Sequence, residues 1–299
     1  MKKYIFLILH YCSIDDTENC IDSIKKNCFN NDYEIVIVDN GSPNNTGNLL
    51  KKEFLRDKNV HVVLLKNNLG FAKGNNAGFK YICDNFNADY IIMINNDIEI
   101  IEKNFLEKID EIYQQHSFSV LGPKIMLPNN QVCNYNKKLK NYWSQFFIVI
   151  YIFFRLIMNY LYLTPLIEYK RKKHKKTNEI DKVKENVILH GSCLIFSKDY
   201  ISKFNGIDDR TFLYCEEELL YIRLLKNKMN SIYNPNIKVL HNEDGSTNYI
   251  LKNKRKKNIF VDKNLLRSNI ILLKEIISMI LSMSVKMVND LLLIVKLLV

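Results

Sequence analysis

Short apolar runs alternate with amphipathic stretches along the first 130 residues. Tyr4 to Leu9, Glu34 to Val38, Val60 to Leu65 and Tyr90 to Ile94 are each apolar almost throughout, as in strands buried on both faces. Between them, Asp16 to Asn27 places Cys20, Ile21, Ile24 and Cys28 on one side of a helix. Leu49 to Arg56 reads as a second helix, and a third extends to about Phe86. This alternation predicts an α/β domain with a mostly parallel central sheet flanked by helices. Its ligand would lie beyond the carboxyl ends of the strands. Ile98 to His116 continues as a turn and helix, and Val120 to Ile125 as a short strand or extended segment.

The rhythm breaks at Asn141. From there to Ile167 Arg155 is the one charged residue, and Trp143 is followed by seven Tyr or Phe between Phe146 and Tyr162. That length suffices to cross a bilayer, for which about 20 residues are needed. A single crossing would separate the two halves of the domain, and residues 177–186 provide no return. Helices lying in the membrane interface are therefore expected, with a protein-binding or oligomer surface as the alternative. The core resumes at Ile188 to Phe196, Glu216 opens a helix with Leu219, Ile222 and Leu225 on its apolar side, and Ile237 to Leu240 forms the last core strand. Spaced charges from Lys274 to Lys296 interrupt the apolar stretch 259–299. One or two amphipathic helices are expected there, on a membrane or packed on the domain. The expected division is 1–130 for the first half of the α/β domain, 131–186 for the helical insertion, 187–258 for its second half, and 259–299 for the terminal helices.

With 299 residues, 47% of them apolar, the chain can bury a substantial core. Its seven cysteines lack metal-ligand spacing and read as thiols in a reducing compartment. Lys2-Lys3 precedes only six apolar residues, too few for a secretory signal, so a cytoplasmic location is expected. Ten Lys or Arg and one acid, Glu168, lie between Lys137 and Lys176, and most of the formal charge of +11 belongs to this stretch. Lys170, Arg171, Lys172, Lys173, Lys175 and Lys176, next to the aromatic segment, suit an anionic membrane surface. No nucleic-acid-binding module is visible, and no nucleic-acid partner is expected.

Candidate chemistry collects at the predicted strand ends. Asp39 can accept hydrogen bonds from a base or ribose, or cap the Asn40-Gly41 turn. The loop holding Gly70 and Gly74 can admit a nucleotide close to the backbone, or serve as a permissive strand–helix junction. It lacks the GxGxxG and GxxxxGK[ST] patterns, which argues against dinucleotide and P-loop sites. Asp97, beside Asn95 and Asn96, can hold a hard divalent cation against phosphate oxygens, or form an ordinary turn. Glu216 to Glu218 at a helix start suit the helix dipole, and also offer a carboxylate as general base. His241 after a strand is either a neutral cap or a ligand.

Taken in order, Asp39-Asn40-Gly41-Ser42, Asn68-Leu69-Gly70-Phe71-Ala72-Lys73-Gly74-Asn75, Asn95-Asn96-Asp97 and Phe212-Leu213-Tyr214-Cys215-Glu216-Glu217 resemble the family 2 inverting glycosyltransferases, in particular the rhamnosyltransferase-like branch. The resemblance covers about residues 4–130 and 187–253. It implies a GT-A nucleotide-diphospho-sugar transferase fold and transfer of one sugar with inversion. The acceptor it implies is a hydroxyl of a lipid-linked or envelope glycan, such as lipopolysaccharide or capsule, and the enzyme would be peripheral on the inner face of a bacterial cell membrane. By the same resemblance Asp39, Gly70, Lys73, Asn75 and Asn96 contact the donor, Gly191 lies near donor sugar and acceptor, and Arg223 occupies a substrate-side basic position. Asp97, with Asn95 and His241, would hold Mn²⁺ or Mg²⁺. Glu217 would be the general base and Glu216 would orient it or the acceptor. Leu219 departs from relatives that carry a further Asp. Gly245 and Ser246 fall in a closing loop, and Lys252-Asn253 matches a downstream Arg-Asn pair. The alternative is a noncatalytic carbohydrate- or nucleotide-binding scaffold that retains the fold.

Overall fold

The computed structural model describes residues 2–29, 32–133, 138–163, 182–242 and 254–298, with side chains of the last helix described as far as residue 282. The basic cluster 170–176, Gly245, Ser246 and Lys252 lie outside the described residues. In chain order the elements are β1 (Tyr4–His10), α1 (Ile14–Asn27), β2 (Tyr33–Asp39), α2 (Thr46–Glu53) with a 3-10 turn Phe54–Arg56, β3 (Val60–Leu64), α3 (Phe71–Asn85), β4 (Tyr90–Asn95) and β5 (Ile98–Ile100). Then come α4 (Phe105–His116), β6 (Val120–Met126), α5 (Tyr142–Tyr160), β7 (Lys184–Glu185), β8 (Cys193–Ser197), α6 (Lys198–Ile201), α7 (Glu216–Lys226), β9 (Ser231–His241) and α8 (Lys254–Leu298).

The described strands form one nine-stranded sheet in the order β3-β2-β1-β4-β8-β6-β9-β5, with β7 also on β9. Alternate residues of β1 feed two buried cores. Phe6 and Ile8 pack with Cys20, Ile21 and Ile24 of α1, whereas Ile5 and Leu7 pack with Phe79 and Ile82 of α3. The expected parallel pairing holds for β3, β2, β1 and β4. Beyond β4 the sheet is mixed: β8 runs antiparallel to both β4 and β6, and β5 and β7 run antiparallel to β9. This corrects the expectation of a mostly parallel sheet. An apolar run buried on both faces carries no mark of direction, so the connection decides it. β8 begins at the edge where β4 ends, the Asn95 N–H donating to the Ser192 carbonyl just before it, and a strand that enters from that edge runs antiparallel to β4.

Smaller differences have local causes. β5, missed within a predicted turn, is only three residues long and is defined by its partner, with Ile98 opposite His241. α3 begins at Phe71, so Gly74 and Gly78 stand inside a helix rather than in a loop. A side chain at Gly74 would meet Leu9 of β1. In α7, Leu225 is exposed, contrary to the predicted face, and Leu219, Leu220, Ile222 and Leu224 are buried. The helix is covered on two sides: Leu220 and Leu224 face the sheet core, and Leu219 and Ile222 meet Leu272 and Ile276 of α8.

α5 and α8 form an antiparallel pair with a polar seam. Gln145 donates to Asn269 at 2.8 Å, Asp262 accepts from Arg155 and from Asn159, and Arg255 donates to the Asn159 and Tyr160 carbonyls. The rings of Trp143, Phe147 and Phe154 instead face outward, each at least 60% exposed. By length and composition α5 is apolar enough to cross a membrane, with a mean hydropathy of 1.3 and 17% of it buried.

Candidate active site

The parallel strands β1, β2 and β4 deliver their last residues to one edge of the sheet, where His10 is in register with Asp39 and Leu9 with Asn95. Because β8 runs the other way, the loop before it arrives at that edge too, and the Asn95 N–H donates to the Ser192 carbonyl at 2.9 Å. The end of β9 closes the group. His241 lies opposite Ile98, and the Asn242 N–H donates to the Asp97 carbonyl at 3.0 Å.

Two cavities share Tyr11 and Asn68 in their walls. One, of about 460 Å³, is lined by Asp39, Ser42, Asn67 and Lys66 among others. The other, of about 480 Å³, has Asn95, Asn96 and Asp97 in its lining, with Asn40, Gly70, Phe212, Tyr214 and Phe260. Asp39 is buried, and its carboxylate accepts the Ser42 N–H. Asn40 clasps the glycine loop: its amide donates to Asn68 and to the Gly70 carbonyl, and its carbonyl accepts the Leu69 N–H at 2.9 Å. Gly70 itself has φ +85°, and a side chain there would fall against the Phe212 carbonyl, so only glycine fits.

Asp97 Oδ2 and His241 Nε2 are 3.2 Å apart. Burial disfavours the His241 imidazolium, but its hydrogen bond to Asp97 and the nearness of Asp97 and Cys133 outweigh that and hold its pKa up to about 9. Asp97 Oδ1 and His241 Nδ1 are both buried and meet no hydrogen-bond partner among the described residues. A buried carboxylate oxygen left open beside a cavity fits a hard cation. One protein carboxylate is enough where substrate phosphates and water supply the other ligands. No group of three or more His, Cys, Asp or Glu able to hold a metal alone occurs among the described residues.

The acidic helix start also turns toward this edge. Glu217 Oε1 accepts the Gly191 N–H at 2.6 Å, one residue before the Ser192 that pairs with Asn95. Glu216 accepts from the Thr211 hydroxyl at 2.9 Å. Burial pushes the Glu216 carboxyl up to about 7. Its own backbone N–H and Thr211 oppose that rise, and the neighbouring Glu217 and Glu218 charges add to it.

Of the other candidates, Lys73, Asn75 and Arg223 stand outside both cavities and Asn96 within one. Lys73 is exposed on α3 and lines neither cavity. Asn75 is buried within α3, donating to the Phe71 carbonyl. Asn96 lines the cavity but commits its amide to Thr17 at 3.1 Å. Arg223 donates to the Gly206 carbonyl at 2.8 Å and lies over Phe204, away from both cavities. The residues that the motif reading left without a role are Asn40, whose strand-end position is its signal, and Phe260, which no local pattern distinguishes.

A model of the family described as Glycosyl transferase family 2 matches residues 6–204, about two thirds of the chain. The chain belongs to glycosyl transferase family 2. The match ends before α7, β9 and α8, so Glu216, Glu217 and His241 of this family 2 chain lie beyond it. The chain is 23% identical over 241 residues to the low-salt glycan biosynthesis hexosyltransferase Agl10 of Haloferax volcanii, covering 79% of this chain and 66% of that protein. It is 28% identical over 102 residues to the glycosyltransferase GlyG of Streptococcus pneumoniae serotype 4, covering 34% and 32%. Less than two thirds of the length of either relative is thus spanned. The fold is similar to that of S. aureus TarS 1–349, with a TM-score of 0.51 at 13% identity over 93% of this chain and 71% of that one. For the same protein in complex with UDP the TM-score is 0.52 at 14% identity, over 88% and 65%.

Proposed function

We propose that this protein is an inverting glycosyltransferase of GT-A type that moves one sugar from a nucleotide-diphospho-sugar to a hydroxyl of a lipid-linked or envelope glycan. The observation that carries the reading is what converges on the end of β4: Asp97 with an open oxygen, and the Gly191–Ser192 loop, which pairs with Asn95 and holds the Glu217 carboxylate. Family membership and the similarity to a hexosyltransferase named for glycan biosynthesis support it. The motif set favours the rhamnosyltransferase-like branch. In this reading residues 1–130 form the nucleotide-sugar half, 187–258 the catalytic half, and 131–186 and 259–299 the helical additions.

The nucleoside occupies the cavity beside Asp39, whose carboxylate is preset by the Ser42 N–H. Gly70, held by Asn40, brings backbone to the donor without a side chain between them. Asp97, with Asn95 and His241, would hold Mn²⁺ or Mg²⁺, which when bound neutralises the charge of the diphosphate as it becomes the leaving group. Glu217 takes the acceptor hydroxyl proton as that oxygen attacks the anomeric carbon and the nucleoside diphosphate departs. The Gly191 hydrogen bond fixes the orientation of that carboxylate. Glu216 is the second candidate for the base, because a carboxyl titrating near 7 is well matched to proton transfer at neutral pH.

We further propose that the α5–α8 pair rests on the inner face of a cell membrane. Its hydrogen-bonding groups face the seam and its rings face outward, as suits a lipid surrounding. The test of the whole reading is a screen of UDP-, GDP- and dTDP-sugars, with Mn²⁺ or Mg²⁺, against an isolated glycan–lipid fraction. Transfer abolished by chelator is expected. Nucleotide binding without turnover of any donor would favour the noncatalytic scaffold.

A further inference from the structure

The cavity above Asp97 is polar along Asn95 to Asp97 and at Asn40 and Asn68, where it adjoins the other cavity, and Phe212, Tyr214 and Phe260 give it an aromatic boundary. The Phe212 and Phe260 rings meet edge to face at 6.2 Å. Phe260 belongs to α8, outside the segment that matches the family. The loop carrying the other two rings is clamped from both sides. The Phe71 N–H at the start of α3 donates to the Phe212 carbonyl at 2.8 Å, and the Ser268 hydroxyl of α8 donates to the Leu213 carbonyl at 2.7 Å. Next to these clamps Tyr214 and Cys215 both have positive φ, +77° and +68°. Side chains other than glycine keep such angles only where their surroundings enforce them, and they gather at functional sites. α8 is therefore part of the site and not only a terminal appendage.

We infer that Phe260, together with Phe212 and Tyr214, forms the acceptor-side wall of the site, a platform for the C–H face of a sugar ring in the acceptor glycan. The inference rests on the glycosyl-transfer reading above and adds to it the class of group that the acceptor presents. A π face carries negative potential and attracts polarised C–H groups, leaving the hydroxyls at the ring edge available for chemistry. A nucleobase or a diphosphate needs polar partners instead. Those lie in the other cavity, at Asp39, Ser42 and Asn67, and at Asp97. Chain order puts the wall beside the base: Tyr214 is followed by Cys215 and then by Glu216 and Glu217 at the first turn of α7. The wall and the carboxylates thus share one short segment, although neither Glu216 nor Glu217 lines the cavity itself. The same helix ties the wall to the apolar outer face of the α5–α8 pair, which suits an acceptor borne on lipid.

The test uses the full-length protein, with UDP-glucose, UDP-galactose, UDP-N-acetylglucosamine and dTDP-rhamnose as donors. The octyl β-glycosides of glucose, galactose and N-acetylglucosamine serve as acceptors. Donor hydrolysis and transfer are followed in parallel for wild type, Phe260→Ala, Phe260→Leu, Phe260→Tyr and, as a control on an exposed part of the same helix, Ile270→Ala. The expected result is a rise in acceptor KM of about tenfold or more for Ala and Leu, with donor KM moved by less than about twofold, and recovery in Tyr. Leu fills the volume without a π face, so a wild-type acceptor KM in Phe260→Leu would reduce the wall to packing and overturn the inference. A rise confined to donor KM would assign the wall to the nucleotide side and overturn it equally. Wild-type protein that neither hydrolyses nor transfers any donor would remove the glycosyl-transfer reading itself. Turnover with an unshifted acceptor KM would remove only the inference.

Discussion

Asp97 is the one carboxylate in Asn95-Asn96-Asp97, and its Oδ1 is left open while Oδ2 faces His241. Asp97→Asn keeps the shape and removes the charge, so transfer should fall by about 10²-fold or more, because an interaction with developing phosphate charge is lost. Wild-type rates in that variant, with metal saturating, would remove Asp97 from the site. Glu216 makes a separate prediction through pH. Its carboxyl titrates near 4.5 when exposed and near 7 in the fold, so the folded chain binds the extra proton between those values. That stabilising contribution is complete below about 4.5 and is lost as pH rises through 7. Glu216→Gln stays neutral throughout, and its stability relative to wild type should grow by about 2–3 kcal/mol between roughly pH 5 and 8. Urea unfolding of both proteins across that range checks it, and parallel pH profiles would contradict it. That Asp39 and Asp97 stand in cavity walls at the sheet edge was legible because a motif and a strand end coincide there. Asn40 went unassigned because its partners, Asn68, Leu69 and Gly70, are near only after β2 and α3 are in place.

At the scale of elements, Gly70 is the hinge between the strand edge and α3. Its φ of +85° and the adjoining Phe212 carbonyl exclude a side chain. Gly70→Ala should therefore cost about 3 kcal/mol or more, from backbone strain and overpacking together. Thermal unfolding measures the loss, and a change below about 1 kcal/mol would show that the loop relaxes. The four parallel strands were readable because runs such as Ile35 to Val38 are apolar on both faces and sit between helical patterns. The direction of β8 was not, since Cys193 to Phe196 would be buried either way. β5 escaped because three residues define a strand only through a partner some 140 positions away, His241 facing Ile98. Leu225 misled for a similar reason: α7 has two buried sides, and its pattern alone does not report the second, contributed by α8.

In the whole molecule, the sheet edge that carries both cavities is joined through α8 to a helical pair with outward rings. The six basic residues Lys170, Arg171, Lys172, Lys173, Lys175 and Lys176 follow α5 in sequence and carry much of the positive charge. Each basic residue near an anionic surface contributes on the order of 1 kcal/mol. Changing all six to Gln should weaken co-sedimentation with anionic vesicles and flatten its salt dependence. Unchanged binding would assign membrane contact to the apolar rings alone. Loss of transfer to a soluble acceptor would instead make the segment part of the catalytic architecture.

We propose a carboxylate at the start of α7 as the base at the edge defined by Asp97. The most direct test is turnover by Glu217→Gln beside Glu216→Gln, with nucleotide binding measured on the same samples. Glu217→Gln should retain nucleotide affinity and lose about 10²- to 10⁴-fold in transfer rate, the usual contribution of a general base. Full transfer by Glu217→Gln, with or without a loss in Glu216→Gln, would contradict the assignment.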